Sequence, residues 1–217
     1  MKFFFAESLD TVDPNYDFIS ESSTPGRNRQ TDDEFAHQVL GSPPFDGLLV
    51  SRALLDPRGS AARYSQSQRL RFEREGVRDF FGLGPWPDIT VMGDCGAYSL
   101  PDSKHTMAEA ADLVDFYDRC GFDYGVSRDY LIPEFKEAWD SRKRRPTSIS
   151  ARFDATIANA QLFLHECQRR RVRFTPIGAF QFWSPRSAVL AAQRLVDMGY
   201  GYLGVGGLAA RRTFEVH

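Results

Sequence analysis

The sequence has little cysteine. Three of its 217 residues are cysteines, Cys95, Cys120 and Cys167, and no two of them form a Cys-x-x-Cys pair. This scattered, odd-numbered set fits reduced thiols in a cytosol better than a disulfide framework, and it offers no zinc site. We therefore expect a cytoplasmic protein and assign it no metal or other cofactor.

The sequence also lacks a long apolar segment at its start and an excess of charge of either sign. The apolar run Phe3–Ala6 is shorter than the roughly 7 to 15 residues of a signal-peptide core, and far shorter than a membrane span. Because 27 Lys and Arg oppose 29 Asp and Glu, the net charge is only -2. No membrane partner is predicted, and overall charge does not indicate a polyanionic partner, although local basic clusters can still bind one.

The composition is typical of a globular domain, with 42% hydrophobic and 26% charged residues. These fractions argue against collagen, coiled coil and extended disorder. At about 150 residues per domain, the length favours one large domain over two small ones. With no internal repeat and no long low-complexity linker, residues 1–217 are predicted to form a single domain.

From about residue 45 onward, short β-rich segments alternate with amphipathic helical segments, which is typical of βα units around a parallel sheet. The predicted strands are Gly47–Val50, Ile89–Met92, Phe122–Val126, Val172–Ala179 and Tyr200–Val205. Five such units suit an open α/β sheet or part of a (β/α)8 barrel, for which the usual size is about 250 residues. Residues 1–44 show no such period and are predicted to form a preamble or cap.

Three helices have clear signals in the sequence. Thr106 with Glu109 forms a capping box, and Ser184 followed by Pro185 supplies an N-cap and a first-turn proline. A third helix is indicated by apolar residues that recur every three or four positions, which predicts one buried stripe. These residues are Phe153, Ile157, Ala160, Leu164 and Cys167.

Acidic residues accompany two neighbouring predicted strands. Asp94 follows the strand at residues 89–92, and Asp123 is given the equivalent place on the next strand. Ligands of parallel α/β folds bind outside the carboxyl ends of the strands. Because adjacent strands are about 4.8 Å apart, we expect Asp94 and Asp123 to share one pocket. The alternative is that both acids only cap the turns that follow.

The next two predicted strands end in an amide and in glycine. Gln181 follows one of them, and Gly206, Gly207 and Leu208 follow the other. Glycine lets a planar ring approach main-chain N–H groups, and an aromatic side chain such as Tyr98 can stack on such a ring. The set suits a flat heterocycle, although core packing is the alternative for the aromatic side chains.

Two basic clusters have the cation density that phosphate contacts need. The alternative is a solvated helix end, where Lys and Arg favour the negative end of the helix dipole. The first cluster is Arg142, Lys143, Arg144 and Arg145, and the second is Arg169, Arg170 and Arg171 with Arg173.

The order of these motifs resembles the tRNA-guanine transglycosylase superfamily. The matching segments are Gly93–Tyr98, Phe122–Tyr124, Phe180–Gln181 and Gly206–Leu208. The preamble is similar to the DpdA branch of that superfamily, which inserts 7-deazaguanine derivatives into DNA. The segments of that second likeness are Asp13–Phe18, Arg27–Asp33 with His37, and Asp46–Ser51.

The resemblance implies a (β/α)8 barrel that exchanges guanine in DNA for 7-cyano-7-deazaguanine through a covalent sugar-enzyme intermediate. Asp94 would be the general acid/base, Asp123 would hold the base, and Gln181 would add amide hydrogen bonds. The arginine clusters would grip the DNA while the target base is flipped out. Backbone contacts to the base would come from Gly206, Gly207 and Leu208.

Two features of the superfamily have no match in this sequence. Its nucleophilic aspartate and its zinc site, Cys-x-Cys-x-x-Cys with a histidine, both lie beyond the Gly-Gly-Leu motif, and this sequence stops nine residues past Leu208. We therefore expect an incomplete barrel, as in a partial chain or one half of a split enzyme. One alternative is a relative that acts on tRNA, and another is a module that binds deazaguanine or nucleic acid without turnover. Partner proteins of a DNA-modification system are also expected.

Overall fold

A computed structural model describes residues 1–7, 9–29, 31–56, 62–97 and 107–208. Tyr98, the predicted stacking residue, and Thr106, the predicted helix cap, lie outside these ranges. The strands of the described part are β1 (Phe4–Glu7), β2 (Thr11–Val12), β3 (Glu34–Phe35), β4 (Gly47–Ser51), β5 (Thr90–Asp94), β6 (Tyr124–Val126), β7 (Thr175–Phe180) and β8 (Tyr202–Val205). Its helices are α1 (Ala36–Val39), α2 (Arg52–Leu55), α3 (Gln66–Phe80), α4 (Met107–Cys120), α5 (Thr147–Arg170) and α6 (Pro185–Met198), with a 3-10 turn at Glu137–Asp140.

Six strands form one parallel sheet in the order β1-β4-β5-β6-β7-β8. Every neighbouring pair runs parallel, so the carboxyl ends of all six strands lie along one edge of the sheet. The prediction of an α/β fold with a parallel sheet is confirmed. Within the described residues, β1 and β8 each pair with one neighbour, so the sheet is open there.

All five predicted strands are present, but four begin later than the sequence pattern indicates, β5 by one residue and β6, β7 and β8 by two or three. Phe122, Phe174 and Tyr200 precede β6, β7 and β8, and each is almost fully buried. These aromatic side chains pack into the core as the chain enters the sheet, so their hydrophobicity marks burial rather than strand pairing.

The prediction that all of residues 1–44 form a preamble or cap outside the sheet is wrong for the first residues of the chain. Residues 4–7 form β1, an edge strand of the main sheet, in register with β4 from Phe4 opposite Gly47 to Glu7 opposite Val50. The sequence gives no strand signal here, because the short apolar run has no turn signal before it and no clear alternation. Its strand forms by pairing with a partner 43 residues away. The rest of residues 1–44 contains the two-stranded ladder of β2 with β3 and the short helix α1.

Two of the helices predicted from sequence signals, α5 and α6, are confirmed. The five residues of the predicted stripe on α5 are all buried, between the sheet and the neighbouring helices. Helix α6 begins as predicted at Ser184 and Pro185, and the Ser184 hydroxyl accepts a hydrogen bond of 3.1 Å from the Ser187 N–H. Such a cap stabilises a helix by about 1 kcal/mol. None of the described helices has the length and apolar character needed to cross a bilayer.

Candidate functional site

The carboxyl edge of the sheet brings together side chains from four consecutive strands. Asp94 is the last residue of β5, Asp129 lies three residues beyond β6, Gln181 directly follows β7, and Gly206 directly follows β8. This edge is where parallel α/β proteins bind their ligands. We refer to Asp94, Cys95, Asp129, Gln181, Gly206 and Gly207 together as the edge cluster.

Asp129 is fixed by one donor on each carboxylate oxygen. Gln181 Nε2 donates to Oδ2 over 2.5 Å, and the Cys95 thiol donates to Oδ1 over 3.5 Å. Gln181 is itself held, because its Oε1 accepts a hydrogen bond of 3.2 Å from the Ile132 N–H. The carboxylate and the amide are therefore preorganised next to each other, with little freedom left to lose when a ligand binds.

Glycine is required after β8 because the backbone passes directly over Asp129 and Gln181. A Cβ on Gly206 would lie 2.7 Å from Oδ2 of Asp129, and one on Gly207 would lie 2.6 Å from Oε1 of Gln181. Gly207 also has a φ of +77°, which side-chain-bearing residues rarely adopt. The close approach means that backbone, and not a side chain, of this segment covers Asp129 and Gln181.

Asp94 shapes the turn that leaves β5. Its Oδ2 accepts a hydrogen bond of 3.0 Å from the Gly96 N–H, and Gly96 has a φ of +78° and lies against Ala53 of α2. Part of the structural alternative is thus correct, since this acid caps a turn. The half-buried carboxylate stands at the ligand-binding edge.

Burial raises the pKa of Asp129, and the negative charge of the neighbouring Asp94 raises it further. The hydrogen bonds from Gln181 and Cys95 act in the opposite direction, because they stabilise the ionised form. When two acids lie on adjacent strands and their charges interact, their pKa values move apart. One of them can then act as an acid while the other stays ionised.

The prediction that Asp123 shares a pocket with Asp94 is wrong. Asp123 precedes β6, and its Oδ2 accepts hydrogen bonds from the Val91 N–H at 2.7 Å and from Arg78 Nη2 at 2.9 Å. Val91 lies near the start of β5, three residues or about 10 Å from Asp94 along the strand. Asp123 therefore lies at the amino edge, in an open depression of about 520 Å³ that Arg173 also lines.

Asp129 is the site residue that sequence reasoning missed. Strand direction was the available signal, because a residue that precedes a parallel strand reaches the amino edge and a residue that follows it reaches the carboxyl edge. Asp129 follows the predicted strand at residues 122–126, as Gln181 follows its own strand. Two residues, Ser127 and Arg128, separate it from that strand, so it lies outside the Phe122–Tyr124 motif.

The first basic cluster lies on the same edge as the edge cluster. It belongs to the loop from β6 to α5, whose Arg145 guanidinium stacks 4.3 Å from the Trp183 ring centroid and donates to the Trp139 carbonyl over 2.8 Å. Trp183 comes two residues after Gln181. Arg145 thus anchors the loop, while Arg142, Lys143 and Arg144 are exposed.

The second basic cluster lies at the end of α5, near the amino edge from which β7 starts. Arg169 and Arg170 both form ion pairs with the buried Glu166, at 2.8 and 3.1 Å. Arg173 lies 3.6 Å from the Asp118 carboxylate, whereas Arg171 is exposed. The structure does not bring this cluster to the site, and its predicted contact with nucleic acid stays a prediction.

Leu208 is half-buried and packs against the core cluster that includes Ile132. The edge cluster therefore contains the predicted residues Asp94, Gln181, Gly206 and Gly207, with Leu208 following on the same segment. Fold and site together define the class: an α/β protein with a parallel sheet and a carboxylate–amide–glycine cluster at its carboxyl edge.

No family model matches the chain. Among curated proteins, it is similar to a DNA-guanine transglycosylase from Salmonella montevideo, with 34% identity over 219 residues. The alignment covers 100% of this chain and 51% of that protein, so the chain spans about half the length of the relative it matches.

Proposed function

We propose that this chain carries the base-binding and acid/base residues of a guanine transglycosylase that acts on DNA. The observation that carries the proposal is the edge cluster, in which the Asp129 carboxylate and the Gln181 amide lie side by side under the Gly206–Gly207 backbone. The relative's name and its alignment over the whole chain support this proposal. We further propose that the six parallel strands are part of a (β/α)8 barrel.

The edge cluster complements the Watson–Crick edge of guanine. That edge presents an N–H and an amino group as donors beside one carbonyl acceptor. The Asp129 carboxylate accepts from the donors, as acidic side chains do in other base-binding sites, and the Gln181 amide has a second N–H for the carbonyl. Adenine lacks this pattern, so the site selects guanine and its 7-deaza analogues, including 7-cyano-7-deazaguanine.

The exchange follows the logic of a retaining glycosidase. A carboxylate attacks the anomeric carbon, the bond from that carbon to guanine breaks, and the departing base takes a proton from a general acid. The incoming base loses its proton to the same group and displaces the carboxylate from the sugar. We place Asp94 in the acid/base role and Asp129 in base recognition, the role that the resemblance gave to Asp123. No described residue is assigned as the nucleophile.

The exposed cations of the first basic cluster contact DNA phosphates next to the site. A base in a duplex must be flipped out before it can reach the edge cluster, at a cost of a few kcal/mol. Contacts from Arg142, Lys143 and Arg144 to phosphates offset this cost through counterion release. The loop is suited to this task because Arg145 holds it against Trp183.

Release of labelled guanine from duplex DNA tests the proposal. We expect release beyond one equivalent of guanine per enzyme only when 7-cyano-7-deazaguanine is supplied, with the strands left intact, because formation of the covalent intermediate frees one guanine and the incoming base must then displace the carboxylate. Continued release without an incoming base would indicate hydrolysis and contradict base exchange. Binding of the free base without any release would indicate a module that recognises deazaguanine but does not turn over.

A further inference from the structure

Cys95 lies inside the edge cluster, yet the proposed chemistry gives it no role. Its side chain is 3% exposed, and it directly follows Asp94 at the end of β5. The Sγ atom lies 3.5 Å from Oδ1 of Asp129, a normal distance for a thiol donor. The other two cysteines, Cys120 and Cys167, are buried among apolar side chains of the core.

The thiol of Cys95 remains protonated and is therefore a donor. Burial raises its pKa well above the ordinary value, and the charges of Asp94 and Asp129 raise it further. A reactive thiolate is excluded by the same environment. The hydrogen bond to Asp129 thus has one direction, from sulfur to carboxylate.

We propose that Cys95 is a positioning residue for base recognition, which holds the Asp129 carboxylate in the plane where it reads the guanine edge. Gln181 fixes Oδ2 and Cys95 fixes Oδ1, so the carboxylate cannot rotate away from the ligand. Both donors are neutral, so they orient Asp129 without adding a positive charge to the site. This inference rests on the proposed function, because it assumes that Asp129 binds the base.

The hydrogen bond also affects the protonation of Asp129. Among the described residues, the groups that face its carboxylate are Asp94 and Cys95 from the end of β5 and Gln181 from the end of β7, while the adjacent Arg128 is directed to Glu109, 3.8 Å away. Because the thiol stabilises the ionised carboxylate, loss of the thiol raises the pKa of Asp129. Guanine needs the ionised acceptor, so binding in such a variant requires a higher pH.

Calorimetric binding of guanine between pH 5 and pH 9 tests this role in the full chain. We compare Cys95→Ala, Cys95→Ser and the control Cys167→Ala, which removes a thiol of equal exposure from the core. Cys95→Ala is expected to weaken binding at pH 7 roughly three- to tenfold, the value of one hydrogen bond. It also moves the midpoint of the pH profile upward.

Cys95→Ser keeps a donor and is expected to restore both affinity and midpoint, whereas Cys167→Ala leaves both as in the wild type. Equal affinity and midpoint in Cys95→Ala and the wild type would overturn the inference while leaving the proposed function intact. Weaker binding without a midpoint shift, or an equal loss in Cys167→Ala, would show a merely structural thiol and also overturn it. A wild-type chain that binds no guanine would refute the proposed function itself.

Discussion

At the scale of single residues, the two acids of the edge cluster have different surroundings, which suit the different roles proposed for them. Asp94 holds the turn after β5 through one oxygen and stands at the open edge. Asp129 is clamped by Gln181 and Cys95, and burial raises its pKa. A proton donor and a fixed acceptor are what base exchange demands of two neighbouring carboxylates.

The substitution Asp94→Asn is expected to leave folding intact and to lower base exchange roughly 10²- to 10⁴-fold, the usual contribution of a general acid or base. The asparagine oxygen still accepts the Gly96 N–H, so the thermal midpoint stays near that of the wild type. The matched control is Asp123→Asn at the amino edge, which retains exchange. Undiminished exchange in Asp94→Asn would refute the role of Asp94.

The substitution Asp129→Asn is expected to abolish guanine binding and to stabilise the fold by about 0.5–2 kcal/mol at neutral pH, as substitutions at functional positions often do. A buried acid with a raised pKa destabilises the folded state once pH exceeds that pKa, and this cost disappears below the ordinary value of 3.8. Urea unfolding at pH 7 and at pH 3.5 measures the difference. A larger stabilisation by Asp129→Asn at pH 3.5 than at pH 7 would contradict a raised pKa of Asp129.

At the scale of elements, the residues of the edge cluster lie at the ends of strands or directly after them, where the parallel sheet brings them together. Helix periodicity predicted α5 and α6 well, because the stripe from Phe153 to Cys167 and the cap at Ser184 are local features. The assignment of Asp123 failed because motif order was used without strand direction. β1 was missed because a four-residue edge strand depends on its distant partner β4.

The segment after β8 is expected to tolerate no side chain at Gly206. In Gly206→Ala, the new Cβ meets Asp129 and Gln181, which costs about 1–3 kcal/mol by overpacking and displaces the base-reading groups. Gly201→Ala is the comparison, because a Cβ there meets nothing within 4 Å. Calorimetry should show guanine binding lost in the first variant and kept in the second; equal binding in both would exclude the close approach as a feature of the site.

The loop from β6 to α5 is expected to supply phosphate contacts. The double variant Arg142→Ala/Arg144→Ala should weaken binding to duplex DNA and reduce the slope of log affinity against log salt by about 1.8, or 0.9 for each lost contact. Arg171→Ala/Arg173→Ala removes the same charge from the amino edge and should change the slope little. If the second variant has the larger effect, DNA binds at the opposite edge.

At the scale of the whole molecule, the alternation of strand and helix sufficed to predict an α/β protein with a parallel sheet. The sequence pattern could not indicate how strand ends converge, since Asp94, Asp129 and Gln181 are separated by 35 and 52 residues along the chain. Only the register of β5, β6 and β7 brings them together. The sequence pattern also could not indicate where the two basic clusters lie. They look equivalent in sequence but lie at opposite edges of the sheet.

The most direct test of the central claim is the incorporation of labelled 7-cyano-7-deazaguanine into duplex DNA and into tRNA by the purified 217-residue protein. We predict label in DNA and none in tRNA, with the DNA signal lost in Asp94→Asn; label in DNA requires that the nucleophile, to which no described residue is assigned, be an acid of this chain. Label in tRNA alone would assign the site to RNA, and no label in either nucleic acid would contradict base exchange by this chain.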